Sequence, residues 1–245
     1  MMEDIIIVEH LSKSYDHLKA VDNLSLSVKK GTIFGLLGAN GAGKSTTIEC
    51  ILGTKKADSG AVSVLGMNPR ENRKELFEQV GVQFQEAHYQ DNIKVGEICE
   101  VTASLYKNPA DYSKLLKDFG IADKSGKLVK ELSGGQKQRL FIVLALLPKP
   151  TVVFLDELTT GLDARARRDV WQILSRLKAD GLTILLTSHF MDEVEILCDE
   201  ICILKNGKSV FSGTVTEAIE QSPFDKFEDV YLWFTDERSE EYESL

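Results

Sequence analysis

One stretch of this chain has the residue types and spacing of a phosphate-binding loop: Gly38-Ala39-Asn40-Gly41-Ala42-Gly43-Lys44-Ser45. Glycines let backbone N–H groups wrap phosphate oxygens without clashes from Cβ atoms, and a following helix directs its positive N-terminal end at them. In a Gly-x-x-x-x-Gly-Lys-Ser pattern the lysine contacts the β- and γ-phosphates, and the serine hydroxyl binds Mg²⁺. We therefore expect a nucleoside triphosphate site here, the alternative being an ordinary glycine turn.

A second polar, glycine-rich segment follows later in the chain, Leu132-Ser133-Gly134-Gly135-Gln136. One phosphate site does not need two such loops. Ser133 stands at the start of a predicted helix to Leu147, so its hydroxyl, the glycine amides and the helix end all favour an anion. The pair of loops predicts half of a nucleotide sandwich, in which each copy binds ATP with its first loop and caps a partner's ATP with its second.

Two carboxylates, Asp156 and Glu157, follow the apolar run Val152–Leu155, which is typical of a buried parallel strand. Open α/β sheets bind ligands at the carboxyl ends of their strands, so we expect these acids beside the phosphate loop. Asp156 suits the Mg²⁺ shell, and Glu157 suits the base or orienting group for an attacking water. Without the phosphate loop, a solvated turn would be the ordinary interpretation.

The elements that must position these groups follow from the apolar patterns. An apolar run, 32–37, leads into the phosphate loop, which gives the strand–loop–helix order that the motif requires. Amphipathic helices are predicted in the middle of the chain, whereas strands alternate with helices on both sides of it. Asn206-Gly207 predicts a hairpin, and Thr214 with Glu217 predicts a helix cap. The predicted strands are 5–8, 24–28, 32–37, 61–65, 80–84, 152–155, 182–186, 201–204 and 209–211, and the predicted helices include 95–105, 112–119 and 170–177.

Composition limits the function classes. The net charge of −9 argues against a dominant nucleic-acid surface. The longest apolar run, Leu140–Leu147, is far shorter than the roughly 20 residues that a membrane span needs. The N-terminus lacks the basic start and apolar stretch of a signal peptide, so we expect a cytosolic protein.

The four cysteines, Cys50, Cys99, Cys198 and Cys202, form no Cys-x-x-Cys pair. We expect buried, apolar thiols in a reducing compartment, with a metal site at Cys198 and Cys202 as the alternative.

The C-terminal segment from Ser222 to Leu245 carries eight acidic and two basic residues. We expect an ATPase domain over residues 1–222, with a helical subdomain inserted at about 86–150, and an acidic tail over 223–245. Within the tail, 230–234 could add a strand, and the last ten residues have the composition of a disordered segment.

Taken together, the motifs resemble those of ATP-binding cassette (ABC) transporter ATPases in order and spacing. The resemblance rests on 38–46, the signature Leu132–Gln136, Asp156-Glu157 and Thr187-Ser188-His189, and covers about residues 3 to 220. It implies the P-loop NTPase, ABC ATPase fold: α/β, with a mixed sheet core, an N-terminal antiparallel β part and the inserted helical subdomain.

The resemblance also implies residue roles. Tyr15 would stack on adenine, Gln85 would be the Q-loop residue, and His189 would contact the γ-phosphate and support Glu157. Gln83 is a competitor for the Q-loop role, but the family pattern puts the functional glutamine at the strand end. The implied catalytic set is Lys44, Gln85, Glu157 and His189, and the implied metal set is Ser45, Gln85 and Asp156. The implied nucleotide-binding set is Tyr15, Gly38, Ala39, Asn40, Gly41, Ala42, Gly43, Lys44, Ser45 and Thr46, with Ser133, Gly134, Gly135, Gln136 and Asp163, the last from the D-loop Gly161–Asp163.

One position departs from the family pattern. Leu158 stands where proline usually follows the catalytic glutamate, and proline would stiffen the turn to the D-loop. The chemical groups are all present, so we expect activity to survive.

The implied function is ATP-driven transport through a separate transmembrane permease subunit. Phrases around the phosphate loop and His189 resemble the ABC-2-type exporters, which implies export, ATP and Mg²⁺ as ligands, a homodimer or a heterodimer with a related ATPase, and a cytoplasmic location on the inner membrane face. A soluble ABC ATPase with a translation, DNA-maintenance or regulatory role is the alternative. Only 88 residues lie between Lys44 and Ser133, which leaves no room for the coiled coils of DNA-maintenance members. A P-loop GTPase or small-molecule kinase is disfavoured by the signature and by the absence of an Asn-Lys-x-Asp motif.

Overall fold

The computed structural model describes residues 3–84, 90 and 92–236. In chain order its elements are β1 (Asp4–Tyr15), β2 (Leu18–Lys29), β3 (Ile33–Leu37), α1 (Lys44–Ile51), β4 (Ser59–Val64), α2 (Arg73–Phe77), β5 (Val80–Gln83), α3 (Val95–Ala103), α4 (Tyr112–Asp118), α5 (Gly134–Leu146), β6 (Val152–Asp156), α6 (Ala164–Ala179), β7 (Thr183–Ser188), α7 (Met191–Leu197), β8 (Glu200–Lys205), β9 (Lys208–Gly213), α8 (Val215–Glu220) and α9 (Phe227–Thr235). Short 3₁₀ turns at Ala122–Lys124 and Val129–Glu131 precede α5. The chain forms two compact units, one of residues up to Arg73 and from Leu185 onward, the other of Lys74–Ile184.

The first unit contains an antiparallel sheet in the order β2-β1-β4. Its central strand alternates as a half-buried strand should, with Ile6 and Val8 buried and Ile7 exposed. Ile7 pairs with Ser27 on one side and with Ser63 on the other. This confirms the expected N-terminal antiparallel part.

The same unit holds β3, β8, β9 and the part of β7 from Leu185 onward, in the order β7-β3-β8-β9. All residues of β3 and β7 are buried, as expected for strands covered on both faces. β3 runs parallel to β8, with Leu37 opposite Ile203, and β8 returns antiparallel into β9. Asn206 and Gly207 both have positive φ, 50° and 80°, so the predicted hairpin turn is confirmed.

The C-terminal end of the first unit differs from expectation. Residues 230–234 belong to helix α9 and not to a strand. Phe227 and Val230, three residues apart on the helix, are buried in an apolar cluster with Phe211 of β9 and Val194 of α7. A short apolar run has no period of its own, so its burial in this cluster decides between helix and strand.

The second unit contains the parallel pair β5 and β6, with Val80 opposite Val152 and Gln83 opposite Leu155. α5 packs closely on β5, since a Cβ on Gly81 would stand 2.0 Å from the carbonyl oxygen of Ala145. The helices α3, α4 and α5 of the range 86–150 belong to this unit. The boundaries of the inserted subdomain and of the tail remain predictions.

The observed architecture confirms the α/β fold with a mixed sheet and an N-terminal antiparallel sheet. No helix within the described ranges is both long and apolar enough to cross a membrane.

Candidate functional site

The loop between β3 and α1 is built by glycine conformations. Gly38, Gly41 and Gly43 all have positive φ, at 154°, 83° and 105°. A Cβ on Gly43 would stand 2.2 Å from the carbonyl oxygen of Ala20, and one on Gly38 would stand 2.7 Å from that of Leu204. The loop therefore lies against β2 and β8 with only backbone between them, as a phosphate cradle requires.

One backbone hydrogen bond holds the loop to the β8–β9 hairpin, and another holds that hairpin to β2. The Gly207 N–H donates to the Ala42 carbonyl at 3.1 Å, and the Asp22 N–H donates to the Gly207 carbonyl at 2.8 Å. The predicted hairpin turn thus supports the loop from behind.

Lys44 is buried, and its ammonium group lies within this loop. Its Nζ donates to the carbonyl oxygens of Gly38 at 2.8 Å and Ala39 at 3.3 Å. Ser45 is exposed on the first turn of α1, whereas Thr47 is buried and its hydroxyl donates to the Gly43 carbonyl at 2.8 Å. The first turn of α1 contains no acidic residue, so no carboxylate there competes with an anionic ligand.

Tyr15 ends β1 with its side chain partly exposed. The ammonium groups of Lys13 and Lys55 stand 5.4 Å and 5.3 Å from its ring centroid. Asp58 holds Lys13 through a 2.9 Å ion pair, and Glu49 holds Lys55 at 2.8 Å. The hydrogen bond from Lys13 lowers the pKa of Asp58. The sequence could have indicated that Lys13 lies beside Tyr15, because the two are two residues apart on one strand. It could not have indicated the same for Lys55, which is distant in the chain.

His189 is exposed immediately after the buried strand β7, and its ring centroid lies 4.3 Å from that of Phe190. The turn behind it is fixed by Ser188, whose hydroxyl donates to the buried Glu193 carboxylate at 2.5 Å and accepts from the Phe190 N–H at 3.0 Å. The histidine therefore stands at a defined strand end in the first unit.

In the second unit, Asp156 ends the fully buried strand β6 and is itself buried, whereas Glu157 is partly exposed. Glu157 has a φ of 49°, a left-handed conformation that costs a non-glycine residue about 1–2 kcal/mol. Such strain is concentrated at functional sites, and the sequence carries no signal for it. The Leu158 side chain, which replaces the family's proline, is buried.

The signature loop (Leu132–Gln136) starts α5 with a reciprocal cap. The Ser133 hydroxyl accepts from the Gln136 N–H at 3.4 Å, and the Gln136 side-chain oxygen accepts from the Ser133 N–H at 3.1 Å. Asp163 caps α6 from one side only, accepting from the Ala166 N–H at 2.8 Å. Gln136 and Asp163 are two of the side chains that the resemblance assigns to nucleotide binding. Each of them therefore also fixes the backbone at the start of its own helix.

A cavity of about 320 Å³ lies between the signature loop and the D-loop (Gly161–Asp163). A Cβ on Gly134 would stand 3.3 Å from Leu162, and one on Gly135 would stand 3.1 Å from the Cβ of Ala166. The signature glycines thus allow close approach to the D-loop and to the first turn of α6.

Gln85 lies outside the described residues. Gln83, its competitor, is buried at the end of β5, where its amide donates to the Phe84 carbonyl at 2.7 Å. Its side-chain oxygen has no hydrogen-bond partner within the described part of the chain.

The candidate metal-binding residues offer oxygen donors, which hard cations prefer. A hydroxyl, Ser45, and a carboxylate, Asp156, are oxygen donors of the kind Mg²⁺ takes. Three or more His, Cys, Asp or Glu side chains are nowhere grouped for a metal ion in the described ranges. The cysteines are free thiols, three of them buried, and burial raises the pKa of Cys99 to about 12 and that of Cys202 to about 11.

Comparisons with known proteins show the family to which the chain belongs. The sequence model of the family described as ABC transporter matches residues 21–160. The Nod factor export ATP-binding protein I of Ralstonia nicotianae is 39% identical over 88% of this chain and 68% of its own length. The probable multidrug ABC transporter ATP-binding protein YbhF of Escherichia coli is 34% identical over 91% of this chain, which spans 39% of that relative.

Solved structures give the same result. An ATP-binding subunit of an ABC transporter superposes with a TM-score of 0.84 at 27% identity, covering 94% of this chain and 99% of its own. The ADP conformation of the ATP-binding cassette MJ1267 superposes with a TM-score of 0.77 at 27% identity, covering 99% of each chain. This chain therefore belongs to the ABC transporter family, as one of its ATP-binding, ATP-hydrolysing subunits.

Proposed function

We propose that the chain powers export through a separate transmembrane permease by an ATP-driven cycle of head-to-tail dimerisation. The observation that carries this proposal is the presence of two different glycine-rich loops on one chain, each leading into a helix. The first, before α1, has a buried lysine in its cradle, and the second, before α5, has an exposed serine and glycine at a capped helix start. A loop of the second kind has a use when it caps the nucleotide of another copy.

In the proposed reaction, the backbone of 38–43 and the ammonium group of Lys44 bind the phosphates, and Tyr15 stacks on the base. Ser45, Asp156 and Gln85 would hold Mg²⁺, which neutralises charge on the β- and γ-phosphates. Glu157 orients and deprotonates the attacking water, and His189 contacts the γ-phosphate. No covalent intermediate is needed, because phosphoryl transfer depends on positioning and electrostatic stabilisation.

Ser133, Gly134 and Gly135 would complete the site from the partner copy. Two triphosphates then join the subunits, and closure moves the permease to its alternate state. The name of the Nod factor export relative supports export. The permease would hold the subunit at the inner face of the membrane.

The test is ATP hydrolysis by the purified chain and its Glu157→Gln variant, with Glu228→Gln on the exposed face of α9 as the matched control. We expect Glu157→Gln to lower turnover by about 10²-fold or more, to retain ATP binding, and to form an ATP-dependent dimer in size-exclusion chromatography with light scattering. The control should match the unaltered protein. Undiminished turnover in Glu157→Gln would contradict the assigned role.

The alternative is a soluble ABC ATPase without a transport role. Co-purification with a membrane protein, and stimulation of hydrolysis by that protein in lipid, distinguish transport from this alternative.

A further inference from the structure

Arg139 of α5 and Asp169 of α6 form an ion pair, with the guanidinium Nη2 2.7 Å from the carboxylate oxygen. Arg139 is six residues after the capping residue Ser133, and Asp169 is six residues after the capping residue Asp163. Six helical residues rise about 9 Å. The pair therefore joins α5 and α6 at positions equally far along each helix from its capping residue. These capping residues belong to the signature loop and the D-loop.

The starts of these two helices lie close together. At the front, the approach is by glycines, Gly134 towards Leu162 and Gly135 towards Ala166. The cavity of about 320 Å³ between the two loops is lined by these glycines and also by Arg139, Arg165 and Asp169. The ion pair thus lies in the wall of this cavity.

Arg139 has a second contact, which directs its side chain. Its Nη1 donates to the Phe119 carbonyl at 3.5 Å, where the chain turns at the end of α4. The guanidinium thereby joins α6 to the α4 turn through two different nitrogens. A planar fork can do this, whereas a lysine ammonium is a single point of charge.

We propose that Arg139 and Asp169 are positioning residues that hold the signature loop and the D-loop in one arrangement, so that both reach the partner subunit's nucleotide together. This inference rests on the proposed function. It assigns neither residue to contact with ATP.

The ion pair between Arg139 and Asp169 contributes little to the stability of the fold. The side chains of Arg139 and Asp169 are 27% and 41% exposed, and ion pairs of that exposure contribute little to folding. A purely structural role therefore predicts small effects on stability and activity alike. A positioning role predicts a loss of turnover out of proportion to the loss of stability.

The experiment compares Arg139→Ala, Asp169→Asn, Arg139→Lys and the exchanged double variant Arg139→Asp/Asp169→Arg. Each is measured for Tm, ATP affinity, KM and kcat. We expect the single variants to lower kcat about tenfold, since misplacement by about 1 Å can cost up to 10²-fold. KM for ATP should stay within about twofold because the P-loop is unaltered. The exchanged variant should recover part of the lost kcat, because it restores the ion pair but not the donation to the Phe119 carbonyl, and Arg139→Lys should also keep only part.

Lys29→Ala is the matched control, because it breaks the ion pair with Glu200 in the first unit. It should leave kcat unchanged. A kcat that stays normal in the single variants, or that falls only in step with Tm and is not recovered on charge exchange, overturns the inference. If Arg139→Ala folds poorly, Asp169→Asn, which keeps the side-chain size, decides the matter. Failure of the unaltered protein to hydrolyse ATP would instead count against the proposed function.

Discussion

Gly43 and Ala20 approach each other so closely that a Cβ on the glycine would lie 2.2 Å from the alanine carbonyl oxygen. The P-loop is thus packed on the β1–β2 hairpin through backbone alone. Since Tyr15 ends β1 and pairs with Leu18 at the start of β2, the same hairpin carries both the candidate base-stacking ring and the surface that supports the loop.

The close contact between Gly43 and the Ala20 carbonyl predicts that Gly43→Ala destabilises the protein and abolishes ATP binding. Gly41→Ala is the control, because Gly41 also has a positive φ but a Cβ added there would have nothing within 4 Å. The control should cost about 1–2 kcal/mol from the left-handed backbone alone, and Gly43→Ala clearly more. Urea unfolding measures the stability of both variants, and nucleotide titration measures their ATP binding. Equal losses of stability in the two variants would contradict the close contact at Gly43.

Gly135 and Ala166 predict an energetic coupling between the signature loop and α6. Gly135→Ala brings two Cβ atoms to 3.1 Å and should cost about 1–3 kcal/mol as overpacking. Ala166→Gly removes one of the two atoms. In a double-mutant cycle we expect the pair to be coupled by at least about 0.5 kcal/mol. Strict additivity of the two unfolding free energies would show that the glycine is not needed for packing.

The cap of α8 predicts a pH-dependent contribution to stability. The Thr214 backbone N–H donates to the Glu217 carboxylate at 2.7 Å, and this bond and that from the Thr214 hydroxyl lower the pKa of Glu217 below its ordinary 4.5. Because the folded pKa is depressed, the contribution is complete above the unfolded pKa and is lost as the pH falls through the folded one. The Tm difference between the unaltered protein and Glu217→Gln should be present at neutral pH and vanish in acid below the folded pKa.

Glu220→Gln, on the exposed face of the same helix, is the control for this experiment and should show no such pH-dependent difference. A Tm difference for Glu217→Gln that persists unchanged in acid would mean that the charge of the carboxylate is not what the cap uses.

The burial of Phe227 predicts that α9 is part of the folded domain. Phe227 is 1% exposed, so Phe227→Ala should cost about 3–5 kcal/mol. Leu232→Ala on the same helix should change stability by less than about 0.5 kcal/mol, because Leu232 is 53% exposed. Urea unfolding tests both. Equally small losses of unfolding free energy in the two variants would support the expectation that the ATPase domain ends at residue 222.

Much of the fold could be predicted because strands and helices repeat with different periods. The alternation of Leu24, Leu26 and Val28 indicates the half-buried β2, and Asn206-Gly207 indicates the β8–β9 turn. The strand expected at 230–234 is wrong because five apolar residues fit a helix or a strand equally well. The neighbouring Phe227, with Val230, completes the helical spacing only once the apolar cluster is known.

The sequence by itself determined which groups can do the chemistry. The loop 38–45, the signature 132–136 and the acids 156–157 are local patterns, and a backbone turn or strand end needs only neighbouring residues to form. The tertiary structure alone decided which distant groups meet. Lys55 reaches Tyr15, and Arg139 reaches Asp169, through contacts between elements far apart in the chain. Such pairings depend on how helices and strands pack, and no periodicity within one segment carries that information.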